Sequence, residues 1–204
     1  TMTVNAYPTV SMSIASGFSG KASVSAVGYS GTTESSVLAY VPQTVTDNNY
    51  TVYQVSGSNI IYGTGTASSG VTSLTTDTVF KVTGTISEAD GQNINATAVF
   101  IKNDGAAFTY ASASGTGKYT AYLPAGEYMV YAYGGSEVYF GTLSVSADAT
   151  DNISLQSAYS ATLIVNANSG RTSSSTYNYL PYAQVEVTVA TDDGSSYSFK
   201  MLTN

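Results

Sequence analysis

The sequence contains neither cysteine nor histidine. Without cysteine there is no disulfide framework, no thiolate metal site and no thiol nucleophile, whatever compartment the chain occupies. Without histidine, the usual general base at neutral pH is missing too. Charge is also scarce: Asp, Glu, Lys and Arg together make up 9% of the chain and only six residues are basic, against roughly a quarter charged in ordinary domains. At a net charge of −7, the clustered cations that grip a nucleic-acid backbone are absent, and nucleic acid is set aside as a partner. No run of about 18 apolar residues occurs, so no helical membrane span is expected. No leader with a basic start and an apolar middle opens the chain, and Thr1 at its head reads as the end left by processing.

What is there instead is Ser, Thr, Asn, Gly and 18 Tyr, in 204 residues that are 43% hydrophobic. That length allows one large or two small domains with a real core. The composition is that of a secreted or cell-surface protein. No segment has a helical period, whereas period-two runs recur between clusters of Gly, Asn, Asp and Ser, so the fold class is all-β.

The clearest alternation is at the start, over Thr1 to Ile14. Met2, Val4, Ala6, Val10, Met12 and Ile14 share one parity, and Thr1, Thr3, Asn5, Thr9, Ser11 and Ser13 take the other. Side chains of a strand point to opposite faces in turn, so this is a long strand with one apolar side. Pro8 confines it to an edge position. Ala15-Ser16-Gly17 and Phe18-Ser19-Gly20 follow as a hinge, with no neighbouring strand to form a hairpin. The arm must therefore pair with distant strands, of its own chain or, by strand addition, of another molecule.

Further strands are expected at Ala22 to Ala26, Val37 to Val41, and Tyr50 to Val55 paired with Ile60 to Tyr62 across Ser56-Gly57-Ser58-Asn59. Gly63 to Gly70 reads as a loop or linker. From Thr78 the pattern becomes more regular, with strands at Val79 to Ile86, Ala96 to Lys102, Phe108 to Ala113, Gly117 to Leu123, Glu127 to Tyr133 and Val138 to Val145. Asp90-Gly91 and Asp104-Gly105 read as hairpin turns. These strands suffice for a small sandwich. Beyond residue 157 only Ala161 to Ala167, Ala183 to Ala190 and Ser196 to Leu202 are strand-like, and they are expected to pack with the strands of residues 22–62. The domain scheme is thus a donor strand and hinge at 1–17, a donor-accepting sandwich at 18–77 plus 156–204, and a second sandwich at 78–155.

Three features carry possible chemistry. Asn49-Tyr50-Thr51, Asn95-Ala96-Thr97 and Asn152-Ile153-Ser154 match the acceptor pattern for N-linked glycans. Tyr122, Tyr131 and Tyr133 are expected to face outward together as an aromatic contact strip. Asp148 with Asp151, and Asp192-Asp193-Gly194, offer oxygens for calcium, but their spacing fits no calcium loop and turn chemistry explains them better. Thr1 as an N-terminal nucleophile lacks a nearby base in sequence. No catalytic residue, cofactor or metal site is expected.

Val82-Thr83-Gly84-Thr85-Ile86, Asp90-Gly91, Ala96 to Val99, Gly117-Lys118-Tyr119 and Leu123-Pro124-Ala125-Gly126-Glu127-Tyr128-Met129-Val130 resemble the transthyretin-like or carboxypeptidase regulatory-like sandwich. The same module resembles repeat domains of bacterial surface adhesins, which implies a scaffold rather than an enzyme. Some relatives carry a Lys–Asn isopeptide bond. Here Lys81 would supply the amine, but the nearest Asn, Asn152, lies beyond the closing strand. The whole pattern, two immunoglobulin-like or transthyretin-like regions behind an alternating arm with sequons, is similar to the glycosylated thread-filament subunits of archaeal surfaces. That resemblance implies an extracellular linear homopolymer of identical subunits, each arm inserted in the next, serving adhesion or biofilm. The alternative is a monomeric extracellular carbohydrate-binding or adhesion module whose arm folds back into its own sandwich.

Overall fold

The computed structural model describes residues 9–26, 29–35, 38–42, 49–102, 107–157, 184–190 and 194–202. Every regular element among them is a β-strand. The first region contains β1 (Thr9–Ser13), β2 (Ser23–Ala26), β3 (Tyr29–Ser35), β4 (Leu38–Pro42), β5 (Asn49–Ser56) and β6 (Asn59–Thr66), neighbours in the order β1-β4-β3-β2-β5-β6. After β6 the chain turns, Gly70 bridges back to Thr66, and Val71 bridges Ile14. The Val71 N–H donates to Ser13 O and the Ala15 N–H donates to Val71 O, both at 2.7 Å. The curled sheet thereby closes on itself, with the end of β1 as the last joint. Inside lie Met12, Ile14, Phe18, Ala22, Val24, Ala26, Tyr50, Val52 and Val71.

Two expectations fail in this region. The loop or linker expected over Gly63 to Gly70 begins later, because β6 runs through to Thr66. Gly63 and Gly65 let the returning backbone of Gly70 to Ser73 press against them, and a Cβ at Gly65 would strike the Gly70 carbonyl. β3 carries almost no apolar residue and escapes any hydrophobic pattern. It is held by polar bonds instead: fully buried Thr33 accepts the Ala22 N–H on its hydroxyl at 2.8 Å and donates its own N–H to Ala22 O at 2.9 Å.

The second region is built on β7 (Thr75–Ser87), thirteen residues long. Its first four residues pair with β6, and Val79 to Thr85 pair with β10 (Lys118–Pro124). The boundary expected between residues 77 and 78 therefore lies inside one unbroken strand. The remaining strands, β8 (Ala96–Lys102), β9 (Ala107–Ala113), β11 (Gly126–Gly134), β12 (Glu137–Val145) and β15 (Gln156–Ser157), form a second sheet in the order β15-β12-β11-β8-β9. Between the sheets Val82, Ile86, Ala121 and Leu123 meet Ala98, Phe100, Val130 and Ala132. Two short strands, β13 (Ala149–Thr150) and β14 (Ile153–Ser154), lie parallel to β7. They occupy its edge opposite β10 and add Ile153 and Leu155 to the core.

Asp90-Gly91 makes the expected tight turn, with Ser87 bridging Asn93, but β7 and β8 belong to different sheets, so the turn leads into a crossover and does not pair these two strands; Asp104-Gly105 lies outside the described residues. The Leu-Pro-Ala-Gly-Glu-Tyr run also crosses between sheets. There the buried Tyr128 hydroxyl donates to Pro124 O at 2.9 Å, a tyrosine-corner bond that fixes where β10 hands over to β11.

Among the described residues the C-terminal hairpin, β16 (Gln184–Ala190) and β17 (Ser196–Leu202), pairs only with itself. Its expected place was in the first region, but Val187 and Val189 pack on Val99, Ile101, Met129, Tyr131 and Phe140 of the second sheet. The reason is legible in β8, which is apolar on both parities: Ala98 and Phe100 fill the core, and Val99 and Ile101 need a cover on the other side. The third expected strand, Ala161 to Ala167, lies outside the described residues.

Tyr128→Phe removes the corner bond while keeping the ring. It should cost about 1–3 kcal/mol because the Pro124 carbonyl loses its buried donor. The measurement is a denaturant melt, with the midpoint falling at an unchanged slope.

Candidate functional site

Of the expected donor residues, Met2, Val4 and Ala6 lie outside the described residues. Val10 pairs with Val41 in the β1–β4 ladder, Met12 with Ala39, and Met12 and Ile14 are 0% and 3% exposed while Ser11 and Ser13 face out. The parity seen in sequence thus holds from Ser11 to Ile14. Its partner is β4, followed by Val71, both in the same chain. Between β1 and β2 the chain passes through Phe18, which is buried, and Ser19, whose N–H and carbonyl both bond to the Gln54 side chain at 2.9 and 3.0 Å. Gln54 also donates to Lys21 O at 3.0 Å, so one side chain pins this connection.

The aromatic strip is divided. Tyr131 stacks on Tyr133 at 5.2 Å between ring centres and on Phe140 at 4.9 Å, and Phe140 stacks on Tyr197 of the C-terminal hairpin at 6.0 Å. Tyr122 stands on β10, in the other sheet, because the Pro124 corner carries the chain across before β11 begins. Tyr122 and Tyr133, 42% and 40% exposed, therefore look out from opposite sides of the sandwich. Within the Tyr133–Tyr131–Phe140–Tyr197 ladder the rings cover one another's faces, so it serves to fasten the hairpin. Burial pushes the Tyr131 hydroxyl pKa up, with Tyr133 adding to it.

All three sequon asparagines, Asn49, Asn95 and Asn152, are exposed. Their hydroxyl residues differ: Thr51 is 1% exposed within β5, Thr97 is half-buried and Ser154 is exposed. The Asn152 side chain is held, its Oδ1 accepting both the Thr85 N–H and the Thr85 hydroxyl at 3.1 Å. Lys81 is exposed and stands four residues before Thr85 on β7, about 13 Å away along a strand, so Lys81 and Asn152 do not form a shielded pair.

Asp148 and Asp151 fall on opposite parities of the segment that flanks β7 and do not converge on one ion. Asp148 faces out and accepts the Lys81 N–H at 2.8 Å. Asp151 is half-buried, and the Tyr119 hydroxyl donates to its carbonyl at 2.7 Å and to its carboxylate at 3.2 Å. Gly84 makes this contact possible, since any side chain there would strike the Asp151 carbonyl and the Tyr119 ring. Burial raises the Asp151 carboxyl pKa above its usual value, and the bond from Tyr119 partly offsets that. The Tyr119 hydroxyl is itself pushed up, by burial first and then by Asp151. Nothing in the sequence signals this Tyr119–Asp151 pair, whose members are 32 residues apart. Asp192 and Asp193 lie outside the described residues.

No family model matches the chain, and no curated protein matches it. Among solved structures, the Bacillus anthracis TIE protein is similar at 12% identity with a TM-score of 0.32, over 72% of this chain. The chain spans 33% of that structure's length.

A raised folded pKa means that the folded state takes up the Asp151 proton before the unfolded chain does. The stability this contributes is complete below the unfolded value of about 3.9 and is lost as pH rises through the folded value. Acidification from neutrality to about pH 4 should therefore raise the contribution of this residue to the melting temperature. Melts of the wild type and Asp151→Asn across that range are the check: the difference between them should shrink as pH falls, and a constant difference would show that Asp151 is not desolvated.

Proposed function

We propose that the chain is a structural subunit of an extracellular surface filament, polymerising by exchange of its N-terminal strand between neighbours and serving adhesion or biofilm. The supporting observation is that β1 closes the first region as its terminal stave. It fills the core with Met12 and Ile14, and the short Ala15–Ser19 connection leads from it to the rest of the first region. A strand of that kind can take the identical seat in a neighbouring copy, which is how domain swapping builds polymers when exchange runs head to tail. Met2, Val4, Ala6, Val10, Met12 and Ile14 are the donor residues in this reading, identical subunits are the partners, and Asn49, Asn95 and Asn152 carry N-linked glycans outside the cell. The similarity to archaeal thread filaments belongs to the same proposal.

A second reading is favoured by one observation: β1 is seated in its own chain, as a monomeric carbohydrate-binding or adhesion module requires. The absence of native cysteine makes the two readings separable. Ser11 and Tyr40 are Cα partners across β1 and β4, within the range a disulfide spans. Oxidised Ser11→Cys/Tyr40→Cys material should run as a covalent ladder of multimers if the strand is exchanged. A single cross-linked 21.1 kDa species would sink the filament proposal.

Side-chain parity gives a further check. Met12→Asp should abolish polymers, because an unpaired carboxylate in an apolar seat costs roughly several kcal/mol, whereas Ser11→Asp should be mild. Polymer yield by sedimentation reads both, and equal damage would show that the buried face is not what drives assembly.

A further inference from the structure

The outer face of β10, β7 and the β13–β14 segment is polar but for one exposed ring, and its Asp148 and Asn152 also serve the backbone of β7. Register places Tyr122 opposite Lys81, Thr120 opposite Thr83 and Lys118 opposite Thr85. On the far edge Thr150 aligns with Thr83, while Asp148 and Asn152 bond to Lys81 and Thr85. Three rows result, Tyr122–Lys81–Asp148, Thr120–Thr83–Thr150 and Lys118–Thr85–Asn152, on one open sheet face. A shallow groove lined by Lys81, Thr83, Asp148, Ala149 and Thr150 runs through it. Hydroxyls, an ammonium group and a carboxylate beside one exposed ring make a surface suited to a sugar, which presents hydroxyls at its edge and C–H groups on its face.

We propose that this face is the bed of an oligosaccharide carried by Asn152, with Tyr122 as the stacking ring at its far end. The inference rests on the reading of the chain as a glycosylated surface protein. Two features favour the chain's own glycan over a foreign one. Asn152 stands on this face, and the two bonds from Thr85 to its Oδ1 fix the amide so that a glycan would start from a defined point. Of the two exposed large hydrophobic side chains among the described residues, Tyr122 lies on this side, four residues along and two strands across from that point, roughly 16 Å away. Asn49 and Asn95 belong to other elements and have no such bed beside them on β7 and β10.

The test uses the full chain produced in an N-glycosylating host, with enzymatic release of glycans from the native protein followed site by site. Release at Asn152 should be slower than at Asn49 and Asn95 and should match them once the protein is denatured. Tyr122→Ala should speed release at Asn152 by about two- to tenfold, the scale of one aromatic contact, and leave the other sites unchanged. Equal rates at all three sites, no response to Tyr122→Ala, or an unmodified Asn152 would overturn the proposal. In a second arm, the released oligosaccharide is added to Asn152→Gln protein. Weak, millimolar binding read at Tyr122, Thr83 and Thr150 fits a tethered ligand, whereas no response at these residues up to millimolar oligosaccharide would overturn it. Release rates can be read on single subunits, so loss of polymerisation leaves this result standing, and its failure leaves the exchange of β1 untouched.

Discussion

Both halves of the molecule depend on the hydrogen-bond ladder of β7. Thr75 to Thr78 tie it to β6 and so to the curled first region, Val79 to Thr85 tie it to β10, and its other edge is taken by β13 and β14. A single strand shared in this way makes the halves one body, since neither sheet can shift along its axis without breaking the ladder of the other. β9 adds a second seam, where Tyr53 of the first region bonds the Thr109 hydroxyl at 2.8 Å. With charge so scarce, backbone pairing and apolar burial must carry most of the stability, and exposed ion pairs would contribute little in any case. Three of the carboxylates serve the backbone: Asp148 accepts from Lys81 N–H, Asp90 from Gln92 N–H and Glu137 from Ala89 N–H.

How far the sequence reveals this varies with the kind of signal. Parity is reliable wherever one face is buried, as at Met12 and Ile14 or along Tyr128, Val130 and Ala132, because the strand period leaves no other arrangement. Strand existence is missed where side chains are polar, as in β3, where glycine makes room for a neighbour, as at the end of β6, and where pairing is only two residues long, as in β13, β14 and β15. What alternation cannot carry is the identity of the partner. Asp90-Gly91 looks like a hairpin turn from within, and so does Pro124-Ala125-Gly126, yet both send the chain to the opposite sheet. That is why Tyr122 and Tyr133 part company. The Tyr119–Asp151 pair is invisible for the same reason. The C-terminal hairpin covers the second region rather than the first, and β8 holds the clue, since a strand apolar on both sides needs two covers.

Two residues of the second region show what its backbone demands. Gly84 is required because Asp151 and Tyr119 close over it, and Tyr128 because its hydroxyl ties the corner at Pro124. These are demands of a scaffold. They leave the solvent-facing positions to the faces where Tyr122, Asn152 and the C-terminal hairpin sit.

Exchange of β1 is a question of balance more than of contacts. Closed and exchanged forms would make the same β1–β4 ladder and the same burial of Met12 and Ile14, so those interactions cancel between them. What remains is the entropy of joining two molecules, which favours the closed monomer, against whatever strain the Ala15–Ser19 connection bears when β1 folds back. Gln54 and Phe18 then matter as much as the strand itself, because they hold that connection in the folded-back form. A tight local seat raises the effective concentration of the chain's own strand and slows exchange; loosening it shifts the population toward the polymer without touching the donor. The control of assembly in this reading therefore lies at the hinge, where the sequence has only Ala, Ser, Gly and one buried Phe, and not in the long apolar alternation that first draws attention to the arm.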